Sequence, residues 1–228
     1  MGLSIASIFS YLICVDEKKY KAAQIIDRLN SFYHEEVSFL DFNSPFQLLI
    51  GVILSARTTD RQVNKLTPRL FARFPDPKSL SGADISELEE IVRPAGFFKS
   101  KAAHIKQSAA LLYGDYNDVV PSAFEDLLRF EGIGRKSANV IRHHVFNLPS
   151  LIVDTHFSRV AGRLGLVSSK NPEAIEDEVR DIVEPGSQSS FSMRANRLGR
   201  EYCRGQKPLC GDCPLRDLCD YNKKSVSR

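Results

Sequence analysis

The chain has 228 residues, of which 43% are hydrophobic and 26% are charged. This composition fits one large folded domain or two small ones, excludes a wholly disordered chain, and contains no apolar run of about 18 residues that would form a transmembrane helix. The net charge is only +3, but residues 191–228 hold nine basic and four acidic side chains, a local charge of +5 that suits a polyanionic partner.

The first 16 residues form an apolar start that resembles the hydrophobic part of a signal peptide. They lack a basic segment and a small-residue cleavage site, so secretion is not indicated. We interpret residues 1–16 as an N-terminal extension, disordered or loosely docked, or as the result of a start codon assigned too far upstream, and expect a cytoplasmic protein.

The rest of the chain has the pattern of helices joined by short turns. Apolar residues recur at helical spacing after four helix-start signals, which are Ser44-Pro45, Asp84-x-x-Glu87, Ser122-x-x-Glu125 and Asn171-Pro172. The strand candidate Leu151–Val153 is too short and isolated to form a sheet. The sequence therefore predicts an all-α fold of about ten helices.

A glycine-containing turn lies between two helical segments at residues 130–138, FEGIGRKSA. Gly132 and Gly134 permit a tight turn and close approach of another backbone. A helix that begins near Gly134 points its first N–H groups and the positive end of its dipole outward, which suits a phosphate group. This is a helix-hairpin-helix pattern, although a corner that needs glycine only for steric reasons fits the spacing equally well.

The next motif is Asp154-Thr155-His156, at the start of another predicted helix. Asp154 is suited to cap that helix, because its carboxylate can accept the first backbone N–H groups. On the residues alone, capping explains Asp154 better than catalysis does. For His156, a packed and hydrogen-bonded ring is the simplest interpretation.

Four of the five cysteines lie close together near the C-terminus with the spacing C-x6-C-x2-C-x5-C. They are Cys203, Cys210, Cys213 and Cys219. Such clustering favours one metal centre over a disulfide framework. Structural zinc sites usually have two C-x2-C pairs, whereas this compact run is closer to iron–sulfur cubane ligation. Arg204 and Lys207 lie between the first two cysteines, where the metal would fold a basic loop able to contact phosphates.

Taken together, these motifs resemble the endonuclease III family of helix-hairpin-helix DNA glycosylases over roughly residues 38–221. The similar segments are LSARTTD (54–60), GFFKSKA (96–102), GIGRKSA (132–138), VDTH (153–156) and the cysteine run. A hairpin alone also occurs in ligases and polymerases. The order of hairpin lysine, VDTH and cysteine run is far more specific.

The resemblance implies a base-excision-repair enzyme that flips out and removes oxidised bases, pyrimidines in particular, and cleaves the abasic site by Schiff-base β-elimination. Lys136 would be the nucleophile at C1′, since an amine can form the iminium that acidifies the neighbouring 2′ position. This role needs the neutral amine, which desolvation favours. Asp154 would stabilise the developing positive charge on the sugar or help to deprotonate Lys136.

The resemblance also implies an architecture, a cofactor and a partner. Two helical lobes would enclose the active-site cleft, with residues 40–149 forming the helix-hairpin-helix domain. Residues 17–39 and 150–228 would form an iron–sulfur domain that holds a [4Fe–4S] cluster. The partner would be double-stranded DNA with a damaged base or an abasic site, bound by a monomer associated with the nucleoid.

Several positions depart from the family pattern. Arg57 stands where the family usually has a glutamine that fills the gap left by the flipped base, so we expect a lesion or opposite-base preference that differs from that of typical members. Lys99 replaces an asparagine, and Glu131 replaces a proline and places a carboxylate beside the hairpin. Phe97 fits a wedge between base steps, with a packed core phenylalanine as the equal alternative.

Two other classes of function compete with this interpretation. A thymine, uracil or adenine mismatch glycosylase would share the fold and the cluster. The adenine branch is disfavoured, because its catalytic glutamate would fall about where Gly51 stands. A non-catalytic DNA-binding module would use the hairpin and the metal loop as clamps. The presence of both Lys136 and Asp154 argues against that module.

Overall fold

The computed structural model describes the backbone of residues 5–34 and 38–226 and the side chains of residues 16–34 and 38–223. Within these ranges the chain is helical and contains no strand, which confirms the predicted all-α fold. None of the described helices is both long and apolar enough to cross a membrane.

The α-helices are numbered in chain order. They are α1 (Ile5–Phe32), α2 (Pro45–Ser55), α3 (Asp60–Arg73), α4 (Pro77–Ser81), α5 (Ile85–Val92), α6 (Phe98–Asp115), α7 (Phe124–Leu127), α8 (Arg135–Phe146), α9 (Thr155–Leu164), α10 (Pro172–Ile182), α11 (Pro185–Glu201) and α12 (Asp220–Val226). Two short 3₁₀ helices, Arg93–Ala95 and Arg216–Leu218, complete the described helical elements.

The chain divides into two compact units. The central unit comprises residues 37–148, and the terminal unit joins residues 1–36 to residues 149–228. The domain boundaries predicted from the sequence lie at 39/40 and 149/150, and the roles assigned there to each domain stay predictions. Of the predicted N-terminal extension, residues 1–4 lie outside the described residues, and only the helical backbone is described for residues 5–15.

The central unit is built around α2. Eight of its eleven residues are buried, Phe46 and the unbroken run from Leu48 to Leu54, so the helix is apolar on every side. It packs against α3, α6 and α8. Ser44 caps its start by accepting the N–H of Gln47, with Pro45 in the first turn, as the sequence predicts.

Two of the other predicted helix starts are confirmed and one is wrong. Asp84 and Asn171 are the N-cap residues of α5 and α10, and each accepts two backbone N–H groups through its side chain. The capping box predicted at Ser122 does not form. Helix α7 begins one residue later, with Ala123 at its N-cap and without a side-chain cap, and it spans only four residues.

The terminal unit has a separate core, made by α1, α9, α10 and α11. Phe157 and Phe191 are fully buried in it and meet edge to face, with ring centroids 5.5 Å apart. The C-terminal segment is tied to α1 by two ion pairs, Lys21 to Asp220 at 2.6 Å and the exposed pair of Arg28 and Asp217 at 3.1 Å. Both ends of the chain therefore contribute to this unit.

Candidate functional site

The glycine turn between α7 and α8 contains two glycines with different structural requirements. Gly132 has a φ of +86°, and an added Cβ would lie 3.1 Å from Ile53 and 3.2 Å from His104, so both conformation and space require glycine there. Gly134 is extended, and a Cβ would meet nothing within 4 Å. The steric explanation therefore holds for Gly132, while the space around Gly134 is open to a ligand.

Helix α8 begins directly after this turn. Gly134 is its N-cap and, as a glycine, contributes no side-chain cap. Lys136 lies in that turn with an exposed side chain. The neighbouring Arg135 instead packs its guanidinium 5.1 Å above the ring of Phe124. The hairpin thus places an exposed amine in the first turn of a helix whose N-cap is a glycine.

Arg57 and Phe97 lie in two different loops of the central unit and meet at the surface. The guanidinium of Arg57 lies 5.4 Å from the centroid of the Phe97 ring, which is 63% exposed. Both residues have left-handed backbone conformations, with φ of +54° and +48°. Such conformations are uncommon for residues other than glycine and cluster at functional sites. Phe97 is therefore not the packed core residue that the sequence left as an alternative.

A buried lysine holds these two loops together. Lys101, only 4% exposed, donates through Nζ to the hydroxyl of Thr58 and to the carbonyl of Ala95, the latter at 2.8 Å. The Thr58 hydroxyl donates to the same carbonyl. Burial lowers the pKa of Lys101 below its usual range. Thr58 follows Arg57, and Ala95 lies two residues before Phe97, so this lysine joins the backbones that present the exposed pair.

Asp154 is the N-cap of α9 in the terminal unit, which confirms its capping role. Its Oδ1 oxygen accepts the backbone N–H groups of His156 and Phe157, both at 2.9 Å. Its Oδ2 oxygen accepts a hydrogen bond from Asn196 Nδ2 at 2.5 Å. The carboxylate is half-buried, and a side chain of α11 contacts it in addition to the helix that it caps.

Two arginines of α9 connect the same helix to the cysteine loop. Arg159 donates through Nε to the carbonyl of Cys203 at 2.7 Å and through Nη2 to that of Gly199 at 2.9 Å. Arg163 donates through Nη1 to Cys203 Sγ at 3.3 Å and to the carbonyl of Arg204 at 2.7 Å. One helix therefore carries Asp154 at its start and supports the loop from its side.

The four cysteines line one surface pocket of the terminal unit. Burial raises the pKa of the Cys213 thiol, and the charges of the other three cysteines raise it further. Burial also raises the pKa of Cys210, with Cys219 and Cys203 adding to the rise and Arg163 opposing it. The four cysteines thus surround one pocket, and thiolates there need compensating positive charge.

This donor set fits an iron–sulfur cluster. A cubane takes one thiolate at each of four iron atoms, and their positive charge stabilises the thiolate form. The contact from Arg163 to Cys203 Sγ is the kind of hydrogen bond that surrounds cluster sulfurs. Among the described residues, no three ligand side chains converge where a single metal ion would sit.

The remaining predicted DNA contacts lie in the cysteine loop. Arg204 and Lys207 are both exposed, and Lys207 has a left-handed φ of +48°. The central unit therefore contains Gly132, Gly134, Lys136, Arg57 and Phe97, and the terminal unit contains Asp154, the cysteines and these two basic residues. Sequence reasoning did not identify Lys101, Arg159, Arg163 or Asn196, whose contacts join residues far apart in the chain.

Comparisons with known proteins extend this description. Residues 50–185 match the family described as HhH-GPD superfamily base excision DNA repair protein, and residues 203–219 match the iron–sulfur binding domain of endonuclease III. The second match spans the four cysteines from the first to the last.

Similar full-length proteins and solved structures carry the same family name. Endonuclease III of Synechocystis sp. is 39% identical over 203 residues, which cover 89% of this chain and 93% of that protein. A non-covalent endonuclease III–DNA complex is 34% identical with a TM-score of 0.86, over 92% of this chain and 99% of that one. A trapped endonuclease III–DNA covalent intermediate gives a TM-score of 0.85 at 34% identity, over 91% and 98%.

Proposed function

Because the chain belongs to the endonuclease III family of the HhH-GPD superfamily, we propose that Lys136 and Asp154 perform its chemistry on damaged DNA. The protein is a base excision DNA glycosylase and abasic-site lyase, it binds DNA, and it carries a [4Fe–4S] cluster. The observation that carries the residue assignment is the position of Lys136, an exposed amine in the first turn of α8 directly after the hairpin glycines.

In the proposed reaction the neutral Nζ of Lys136 attacks C1′ of the damaged nucleoside. The glycosidic bond breaks, and the base leaves with its electron pair and takes up a proton. Opening of the sugar ring then gives an iminium between Nζ and C1′. Loss of a proton from C2′ releases the 3′ phosphate, which nicks the strand. Because the Lys136 side chain is exposed, bound DNA would have to supply the desolvation that favours the neutral amine.

Asp154 is proposed to stabilise the positive charge that develops on the sugar or to help deprotonate Lys136. Its carboxylate is held on both oxygens within the terminal unit, by two backbone N–H groups and by Asn196. A charge fixed in this way needs little reorganisation during the reaction. Capping and catalysis are therefore compatible roles for the same side chain.

Phosphate contacts are proposed at the start of α8, around Gly134, and at Arg204 and Lys207 of the cysteine loop. Arg57 and Phe97 are proposed to enter the base stack beside the flipped nucleotide, because both are exposed and their loops are held by Lys101. The four cysteines would hold the [4Fe–4S] cluster and so order the loop that presents Arg204 and Lys207.

The proposed substrate is duplex DNA that contains an oxidised base, a pyrimidine in particular, or an abasic site. Such a substrate places the protein at the nucleoid, in the cytoplasm. A single copy of the chain contains every residue assigned here, so we propose that the protein acts as a monomer.

Borohydride trapping tests the assignment of Lys136. The protein is incubated with a duplex that has one abasic site, and sodium borohydride reduces any iminium to a stable amine. We expect a covalent protein–DNA adduct that is lost in Lys136→Ala, together with strand nicking, while binding of an uncleavable abasic analogue persists. Lys65→Ala, an exposed lysine of α3, is the control and should retain the adduct. A wild-type yield of adduct from Lys136→Ala would show that another amine is the nucleophile.

A further inference from the structure

Helix α11 presents a row of polar side chains to the segment that leads into α9. Ser189 Oγ accepts the backbone N–H of Ser150 at 2.9 Å, and Ser192 Oγ accepts that of Ile152 at 3.2 Å. Both serines are buried. Because this segment has no sheet partner among the described residues, these hydroxyls satisfy backbone groups that would otherwise be costly to bury.

Asn196 lies one turn further along the same face of α11 and contacts a side chain, that of Asp154. It is 4% exposed, and its Nδ2 donates to the Oδ2 oxygen of Asp154. The other oxygen of that carboxylate, Oδ1, accepts the two N–H groups at the start of α9. The carboxylate is therefore held from two helices, by backbone groups of α9 and by one amide of α11.

Arg200 determines which way the amide of Asn196 faces. Its Nε donates to Asn196 Oδ1 at 2.9 Å, and a guanidinium can only donate hydrogen bonds. The amide oxygen must therefore face Arg200, which leaves the amide nitrogen for the carboxylate of Asp154. The hydrogen-bond chain runs in one direction, from Arg200 through Asn196 to Asp154.

We propose that Asn196, oriented by Arg200, is a positioning residue that fixes the Oδ2 oxygen of Asp154 for base release. The proposal rests on the proposed catalytic function of Asp154. An N-cap carboxylate held only through Oδ1 keeps rotational freedom about its side-chain bonds. The contact from Asn196 removes this freedom, and small displacements of a reacting or stabilising group reduce rates strongly.

The test measures single-turnover base release from a duplex that contains one thymine glycol, an oxidised pyrimidine. Asn196→Leu keeps a similar side-chain shape and removes the donor, and we expect base release to slow by between about tenfold and hundredfold. Binding of a duplex with a tetrahydrofuran abasic analogue should stay within about twofold of wild type. Arg200→Gln changes an exposed residue, so it folds even if Asn196→Leu does not. Arg200→Gln should also slow base release, but less than Asn196→Leu does.

Ser192→Ala is the matched control. It removes a buried hydrogen bond between the same helix and the same segment without touching Asp154. We expect it to lower the melting temperature and to leave base release at the wild-type rate. Equal slowing in Ser192→Ala and Asn196→Leu would mean that α11 acts only as a structural support, which overturns the proposal.

A double-mutant cycle with Asp154→Asn supplies a readout that a structural role would not move. Asparagine also caps helices, so this variant should fold. If Asn196 acts through Asp154, adding Asn196→Leu to Asp154→Asn should slow base release by no more than about twofold further. Full additivity, or wild-type release in both Asn196→Leu and Arg200→Gln, overturns the positioning role. Wild-type release in Asp154→Asn would instead overturn the proposed function of Asp154 itself.

Discussion

His144 is a titratable group near the end of α8 that the proposed chemistry does not use. Its ring lies 4.7 Å from that of His143 and 6.2 Å from that of Phe42, measured between centroids. Burial, together with the charge of the neighbouring His143, lowers the pKa of His144 to about 4. The folded protein therefore favours the neutral imidazole well below the pH at which an ordinary histidine is protonated.

This lowered pKa predicts a loss of stability in acid. Between about pH 6.5 and pH 4 the unfolded chain binds a proton at His144 that the folded chain does not, so the free energy of unfolding falls as the pH is lowered. We expect His144→Phe, which keeps an aromatic ring beside Phe42, to remove about 1–2 kcal/mol of the loss between pH 7 and pH 4.5. Urea unfolding of both proteins at pH 7 and pH 4.5 measures this loss of stability. An unchanged difference between the two pH values would contradict the assignment to His144.

At the scale of single residues, chemistry that depends on local spacing could be predicted from the sequence. The N-cap position of Asp154 follows from neighbours a few residues away, and the structure confirms it. The backbone conformation that favours glycine at Gly132 is local, whereas the side chains that leave no space for a Cβ, Ile53 and His104, are distant in the sequence. The contact of Asn196 with Asp154 joins residues 42 positions apart. No local pattern encodes it, because it exists only once α11 packs on α9.

At the scale of elements, the packing of α9 against α11 positions most of the terminal unit's candidate groups. The two helices approach closely at Gly199, where an added Cβ would lie 2.9 Å from His156 Cβ and 3.1 Å from its carbonyl oxygen. Gly162, on the exposed side of α9, has nothing within 4 Å of such a Cβ. One glycine is therefore required by packing and the other is not.

We expect alanine substitutions at these two glycines to have opposite effects on the free energy of unfolding. Gly199→Ala should lower the free energy of unfolding by about 1–3 kcal/mol, because the methyl group forces the helices apart. Gly162→Ala should raise it by up to about 1 kcal/mol, because alanine favours the helix and restricts the unfolded chain. Urea unfolding of both variants measures the difference. A stabilising Gly199→Ala would show that α9 and α11 are free to separate by the width of a methyl group.

Three of the four predicted helix starts are correct, and two of them combine a cap with a proline. Ser44-Pro45 and Asn171-Pro172 begin α2 and α10, because proline is well suited to the first turn and the preceding side chain accepts its free N–H groups. Ser122 carries a capping-box sequence without proline, and the helix begins after Ala123 instead. A weak local preference there gives way to tertiary packing, since Leu127 and Phe130 are buried in the central core.

At the scale of the whole molecule, each unit has its own hydrophobic core and its own candidate residues. Elements of the terminal unit support the cysteine loop. Arg159 and Arg163 hold it from α9, and Arg28 of α1 donates to the carbonyl of Pro214 and to Asp217. Loss of structure in the loop should therefore destabilise the terminal unit before the central unit.

Removal of one cluster ligand tests whether the terminal unit loses structure independently of the central unit. Cys213→Ser should purify without the visible absorbance of the cluster and with far fewer than the about four iron atoms per chain expected of wild type. Hydrogen exchange should accelerate in the loop and in α9, whose arginines lose their ordered acceptors, and stay unchanged in α2 and α6 of the central unit. Asp212→Ser, an exposed neighbour, should behave as wild type. Uniform acceleration across both units would mean that they unfold together and that the cluster stabilises the whole chain.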